Sequence, residues 1–117
     1  MTIRTKRIYD DPAPGDGHRV LIDRLWPRGV SRERAAIDEW ARQLAPSDEL
    51  RRWFRHRPER FQEFARRYRA ELAAQRDELA ALRRRARRGT VTIVFGARDE
   101  RHSNAAVLAN VLRRGLR

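Results

Sequence analysis

The sequence predicts a small, single-domain α/β fold in which a short, partly parallel sheet packs against helices. Three observations lead there. Two short apolar runs, Val20-Leu21-Ile22 and Val91-Thr92-Ile93-Val94-Phe95, read as buried strands. Between them, apolar residues recur at steps of three and four, the helical period. A long helical crossover between two strands favours parallel pairing. The length of 117 residues suits one domain, and 40% hydrophobic residues suffice for one modest core.

Ile3 to Tyr9 partly alternates apolar with polar residues, as an edge or half-buried strand does. Asp10 to Gly17 carries Pro12, Pro14, Gly15 and Gly17 and reads as a loop. Arg19 to Leu25 reads as a buried strand that ends near Trp26, because Pro27 cannot donate to a ladder. Ser31 is placed to cap a short helix over Arg32 to Ala36. Ile37, Trp40, Ala41 and Leu44 then follow a helical spacing, which Pro46 should stop.

Ser47 can cap the next helix, with Asp48 and Glu49 where its dipole favours acids. Leu50, Trp53 and Phe54 would form its apolar face. Pro58 suits the first turn of another helix. Phe61, Phe64, Ala65, Tyr68 and Leu72 form its core-facing stripe, and Leu79, Leu82 and Ala86 continue a similar one. A single helix over this span would be about 45 Å long. A break is therefore expected near Ala74 to Asp77, and Gly89 suits the C-terminal end. Thr90 to Phe95 is the clearest strand, being β-branched, apolar and short. Ser103 or Asn104 would cap a last helix carrying Ala106, Val107, Val111 and Leu112.

The charge pattern is less selective. The formal net charge of +12 invites a nucleic-acid partner. However, Lys6 is the only lysine, and an arginine bias also fits a GC-rich coding background. The absence of cysteine removes disulfides, thiolate metal sites and a thiol nucleophile. No stretch is long enough to span a membrane and the N-terminus lacks an apolar signal core, so a cytoplasmic location is expected. Walker, dinucleotide-binding and nucleophile-elbow motifs are absent, and no cofactor is indicated.

Two segments carry the candidate chemistry: Asp23-Arg24-Leu25-Trp26-Pro27-Arg28-Gly29 and Phe95-Gly96-Ala97-Arg98-Asp99-Glu100-Arg101-His102-Ser103-Asn104. Each follows a predicted buried strand, and parallel sheets bind ligands beyond the carboxyl ends of their strands. Arg24, Arg28 and Arg98 are guanidinium forks suited to a phosphate or carboxylate. Asp23 would position them, or else form an ion pair tying the strand end to its loop. Trp26 would pack, or stack on a planar base. Asp99 stands three residues before His102 and can fix its tautomer, which makes the pair acid–base candidates; a surface histidine at a helix start is the plainer reading. Asn104 opens a helix whose N–H groups can hold an anion, or serves as an ordinary cap. Asp23, Asp99 and His102 are metal-ligating types, but no recognised ligand spacing joins them. His18 and His56 read as surface residues, and Tyr9 as packing on the sheet.

These segments, with Lys6-Arg7-Ile8-Tyr9-Asp10, Ala45-Pro46-Ser47 and Trp53-Phe54, resemble the YeaO-like family over nearly the whole chain. This is a bacterial and archaeal domain family of unknown function. The resemblance implies a compact, cytoplasmic α/β domain whose motifs correspond to Asp23, Arg24, Trp26, Pro27, Arg28, Gly29, Asp99, His102 and Asn104. Phe95-Gly96 departs from the pattern, where relatives often carry Tyr or Cys followed by Ala or Ser. Larger relatives have cysteines near this strand, so any thiol chemistry does not transfer.

Three functions remain open on the sequence. One is a pocket, enzymatic or not, for a small anionic or nucleotide-like ligand, with Asp23, Arg24 and Arg28 facing Asp99, His102 and Asn104 across a cleft. The second is nucleic-acid binding through the arginine-rich surface. The third is a homodimer formed through an apolar helix face, which is compatible with either.

Overall fold

The computed structural model describes residues 1–116. Four strands form one parallel sheet in the order β1-β4-β2-β3: β1 is Thr2–Arg7, β2 His18–Leu21, β3 Glu39–Trp40 and β4 Thr90–Phe95. β4 pairs with β1 from Thr2↔Thr90 to Arg7↔Phe95, and with β2 from His18↔Val91 to Leu21↔Val94. The last strand in sequence is thereby inserted between the first two. The carboxyl ends of β2 and β4 are neighbours, as the crossover predicted.

Among the described residues, five α-helices accompany the sheet: α1 Arg32–Ala35, α2 Asp48–Phe54, α3 Phe61–Leu72, α4 Arg76–Arg88 and α5 Asn104–Arg114. Alternation along the strands assigns the two faces. Val20, Ile22, Val91, Ile93 and Phe95 belong to the main core with Phe54, Phe64, Tyr68, Leu72, Leu79, Leu108 and Leu112. Leu21, Val94 and Ile8 turn the other way, toward Ala35, Trp26, Ile37 and Trp40.

Beside that second cluster lies a buried charged joint. Asp16 accepts from Arg19 Nη1 at 2.6 Å and from Lys6 Nζ at 3.1 Å, and Arg19 also donates to the carbonyls of Ala35 and Ala36. Burial pushes the Asp16 carboxyl up, but the Ala13 N–H, Lys6 and Arg19 together hold it below its ordinary value.

Ser31, Ser47 and Ser103 are all N-caps, each accepting the backbone N–H three residues on. The expected break appears as a 3-10 turn over Ala73–Gln75 between α3 and α4. Two expectations require correction. The segment from Ile37 to Leu44 is not helical: it forms β3 and a 3-10 turn over Arg42–Leu44. The second strand stops at Leu21 instead of Leu25, although the Ile22 N–H still donates to Val94 O at 3.1 Å.

Candidate functional site

Beyond Ile22, the Asp23 side chain takes over from the ladder. Its Oδ2 accepts the Gly96 N–H at 2.9 Å, and its Oδ1 accepts from Asn104 Nδ2 at 3.2 Å. Asn104 Nδ2 is also 3.3 Å from Ile22 O. One carboxylate therefore joins the exit of β2, the exit of β4 and the first residue of α5. Gly96 leaves room for this approach: a Cβ there would stand 2.9 Å from Asp23 Oδ2, so the carboxylate would have to shift. Burial pushes the Asp23 carboxyl above its ordinary range. Hydrogen bonds from Asn104 and Gly96, and the charges of His56 and Arg51, hold part of that rise back.

A cavity of about 400 Å³ opens over this junction. The stretch from Asp23 to Arg28 forms one wall, and Gly96, Ala97, Ser103 and Asn104 form another. Phe54 and Phe64 supply an apolar surface, stacked with centroids 4.2 Å apart. Arg51 and His56 complete the lining from α2 and its exit, with Tyr9 from the exit of β1. Three arginines and one aspartate thus line the cavity, but Asp23 does not hold the arginines as expected, because its oxygens are taken by Gly96 and Asn104. Arg24 Nε lies 3.5 Å from Asp48 Oδ1, and Arg51 Nη2 lies 3.2 Å from the same oxygen. Arg28 has no carboxylate partner among the described residues.

Trp26 lines the cavity, but most of its polar and aromatic capacity is committed. Its Nε1–H donates to Val30 O at 2.6 Å, its ring meets Trp40 edge-on at 5.4 Å, and Arg32 lies over it at 4.6 Å. Trp40 in turn donates to Asp23 O at 2.7 Å, so β3 helps fix the loop that carries the site.

Arg98, Asp99 and His102 are not among the lining residues. Asp99 and His102 do form the expected pair, with Nδ1 donating to Oδ2 at 2.7 Å, and the His102 backbone N–H meets Asp99 Oδ1 at 3.2 Å. The hydrogen bond from His102 holds the Asp99 carboxyl below its ordinary value. The pair is exposed, and the imidazole meets the Phe61 ring edge-on at 5.2 Å. Its loop is tied to β1, where Thr5 donates to Glu100 at 2.7 Å and Arg7 donates to Ala97 O at 2.9 Å. Of the residues expected to face one another, Asp23, Arg24, Arg28 and Asn104 therefore share the cavity. No group of three or more His, Asp or Glu side chains that could hold a metal occurs among the described residues.

Sequence reasoning missed Arg51, His56, Phe54, Phe64 and Tyr9. Tyr9 does not pack on the sheet: it is exposed, and its hydroxyl donates to Arg28 O at 3.0 Å. His56 reaches the cavity because Arg55 and His56 both hold positive φ, at 50° and 55°. Such angles are costly for non-glycine residues and carry no mark in this sequence. Phe54 and Phe64 show a helical core spacing, which does not distinguish a core ring from one that also lines a cavity.

The sheet and cavity define a small parallel α/β domain with a ligand-sized recess at the carboxyl ends of its strands. A family profile described as "Inactive DUF488-N3 subclade" matches residues 2–117. The chain is similar to "Uncharacterized protein Rv3073c" of Mycobacterium tuberculosis (strain ATCC 25618 / H37Rv), with 46% identity over 110 residues covering 94% of this chain and 92% of that protein. It is also similar to "Uncharacterized protein YeaO" of Escherichia coli (strain K12), with 39% identity over 113 residues covering 97% and 98% of the two chains. The chain therefore belongs to this YeaO-like family. No solved structure matches it.

Proposed function

We propose that the cavity binds a small anionic, nucleotide-like molecule and that the protein serves as a ligand-binding module. The observation that carries this reading is one cavity lined by Arg24, Arg28 and Arg51 together with the edges of the largely buried Phe54 and Phe64 rings. Guanidinium forks match phosphate or carboxylate oxygens, and an apolar lining suits the uncharged body of such a ligand. Arg28 is the principal anion contact, because Arg24 and Arg51 already share Asp48. A carboxylate offers about four acceptor positions, so Asp23 keeps capacity for a ligand N–H beyond Gly96 and Asn104. Asn104 holds that carboxylate in place, Trp26 serves as wall, and Arg98 adds outlying charge that draws the anion in.

Binding without turnover fits the available groups. The Ser103 hydroxyl accepts from the Ala106 N–H and donates to Glu100 O, so it is engaged on both sides. Asp99 and His102 support the start of α5 in this reading and do not act as acid and base. The word "Inactive" in the family's description points the same way.

Calorimetric titration with adenosine 5′-monophosphate, adenosine and inorganic phosphate tests the proposal. The monophosphate should bind most tightly. Arg28→Ala should weaken it about tenfold, the equivalent of ~1.4 kcal/mol, while leaving adenosine unchanged. No binding by the native protein, or equal affinity in the variant, refutes the assignment.

A further inference from the structure

The opposite pole of the molecule carries a second basic feature, independent of the cavity. In a parallel sheet with antiparallel helices, helix C-termini gather at the amino ends of the strands. Here α4 ends on Arg84, Arg85, Arg87 and Arg88, and α5 ends on Arg113 and Arg114. The two ends meet, since Arg83 donates to the carbonyls of Val111 and Leu112 at 2.9 and 3.1 Å. Arg113 reaches the first strand, donating to Ile3 O.

Arginines at helix C-termini are partly explained by the helix dipole. That dipole supplies roughly half a negative charge per helix end, or about one for the two ends together. Six exposed guanidinium groups exceed it several-fold. None of the six forms an ion pair among the described residues.

Arg84, Arg85 and Arg88 also line a concave groove with His18, closed by Gly17, Gly89 and Thr90. Its lining holds no carboxylate, no large apolar side chain and no phenylalanine, tyrosine or tryptophan. A membrane-docking surface would need apolar groups to insert. A single-stranded nucleic acid would need aromatic rings on which its bases stack. A run of phosphates requires only a concave, arginine-lined track.

We infer that this groove binds the phosphate backbone of a duplex nucleic acid, without reading its bases. Contacts of this kind release counterions, so affinity falls with salt. Three arginines engaging three phosphates give a log–log slope of about −2.7.

Fluorescence anisotropy with a labelled 20-base-pair DNA duplex and a matched RNA duplex, each titrated at several salt concentrations, tests the inference. The native protein should bind at least one duplex, and the two arms show whether DNA or RNA is preferred. Reversing Arg84, Arg85 and Arg88 to Glu should weaken binding at least tenfold and flatten the salt slope. Reversing Arg52, Arg57 and Arg101 to Glu makes the same change in net charge away from the groove and should weaken it less than threefold. An Arg84→Ala, Arg85→Ala, Arg88→Ala protein provides the same comparison should the reversed one fail to fold. Equal losses in the groove and control variants would reduce the effect to net charge and overturn the inference. Absence of duplex binding would overturn it as well, as would binding only to vesicles containing phosphatidylglycerol.

Discussion

At Asp23 the cost of holding a carboxylate away from water is offset by two directed hydrogen bonds, from Gly96 and Asn104. Burial still outweighs them, so the carboxyl is raised above the ordinary value of 3.8. The folded protein therefore binds this proton more readily than the unfolded chain. The contribution of Asp23 to stability is complete below the unfolded value and is lost as pH rises through the raised folded one. Asp23→Asn carries no such dependence. The difference in urea unfolding free energy between native protein and variant should shift in the variant's favour from about pH 4 to about pH 7. A difference constant across that window contradicts the burial-driven rise. The location of Asp23 was legible in the sequence, since a charged residue followed an apolar run and preceded Pro27. Its partnership with Gly96 was not legible, because it rests on the closeness of a backbone 73 residues away.

Elements whose signals are local were read well. Ser31, Ser47 and Ser103 cap where a cap was expected, and the break between α3 and α4 falls where the apolar stripe is interrupted. β3 was missed for a physical reason. Ile37 and Trp40 pack on one face of the sheet, while Ala41 and Leu44 enter the core on the other. A chain crossing the sheet edge thus imitates helical spacing without forming a helix. The end of α1 carries a separate test. Ala36 holds φ of 49° at an exposed C-cap, a left-handed conformation that disfavours a Cβ. Ala36→Gly should stabilise the fold by up to about 1 kcal/mol in urea denaturation, after the added freedom of the unfolded chain is subtracted. A loss of stability instead would contradict the left-handed cap.

For the whole molecule, parallel topology separates two kinds of chemistry. Strand exits, the start of α5 and the aromatic residues Phe54 and Phe64 surround the cavity at the carboxyl pole. Helix ends place unpaired arginines at the amino pole. The net charge of +12 is visible in the sequence, but this division is not, since it depends on β4 entering between β1 and β2. The same insertion makes the exits of β2 and β4 neighbours and so brings the two motif segments together. Asp99 and His102 stand apart from the cavity because their loop is drawn toward β1 by Thr5 and Arg7, contacts that spacing along the chain does not encode. Among the described residues no helix is long and apolar enough to cross a membrane.

The central claim is the place where the small ligand binds, and amide chemical-shift mapping tests it most directly. Titration of the isotopically labelled protein with adenosine 5′-monophosphate should move the Gly96, Ala97, Ser103 and Asn104 resonances together, with one saturation curve. Gly17, Gly89 and Thr90 at the far pole should stay fixed. Shifts confined to the far pole, or no saturable shift around Asp23, would contradict the account.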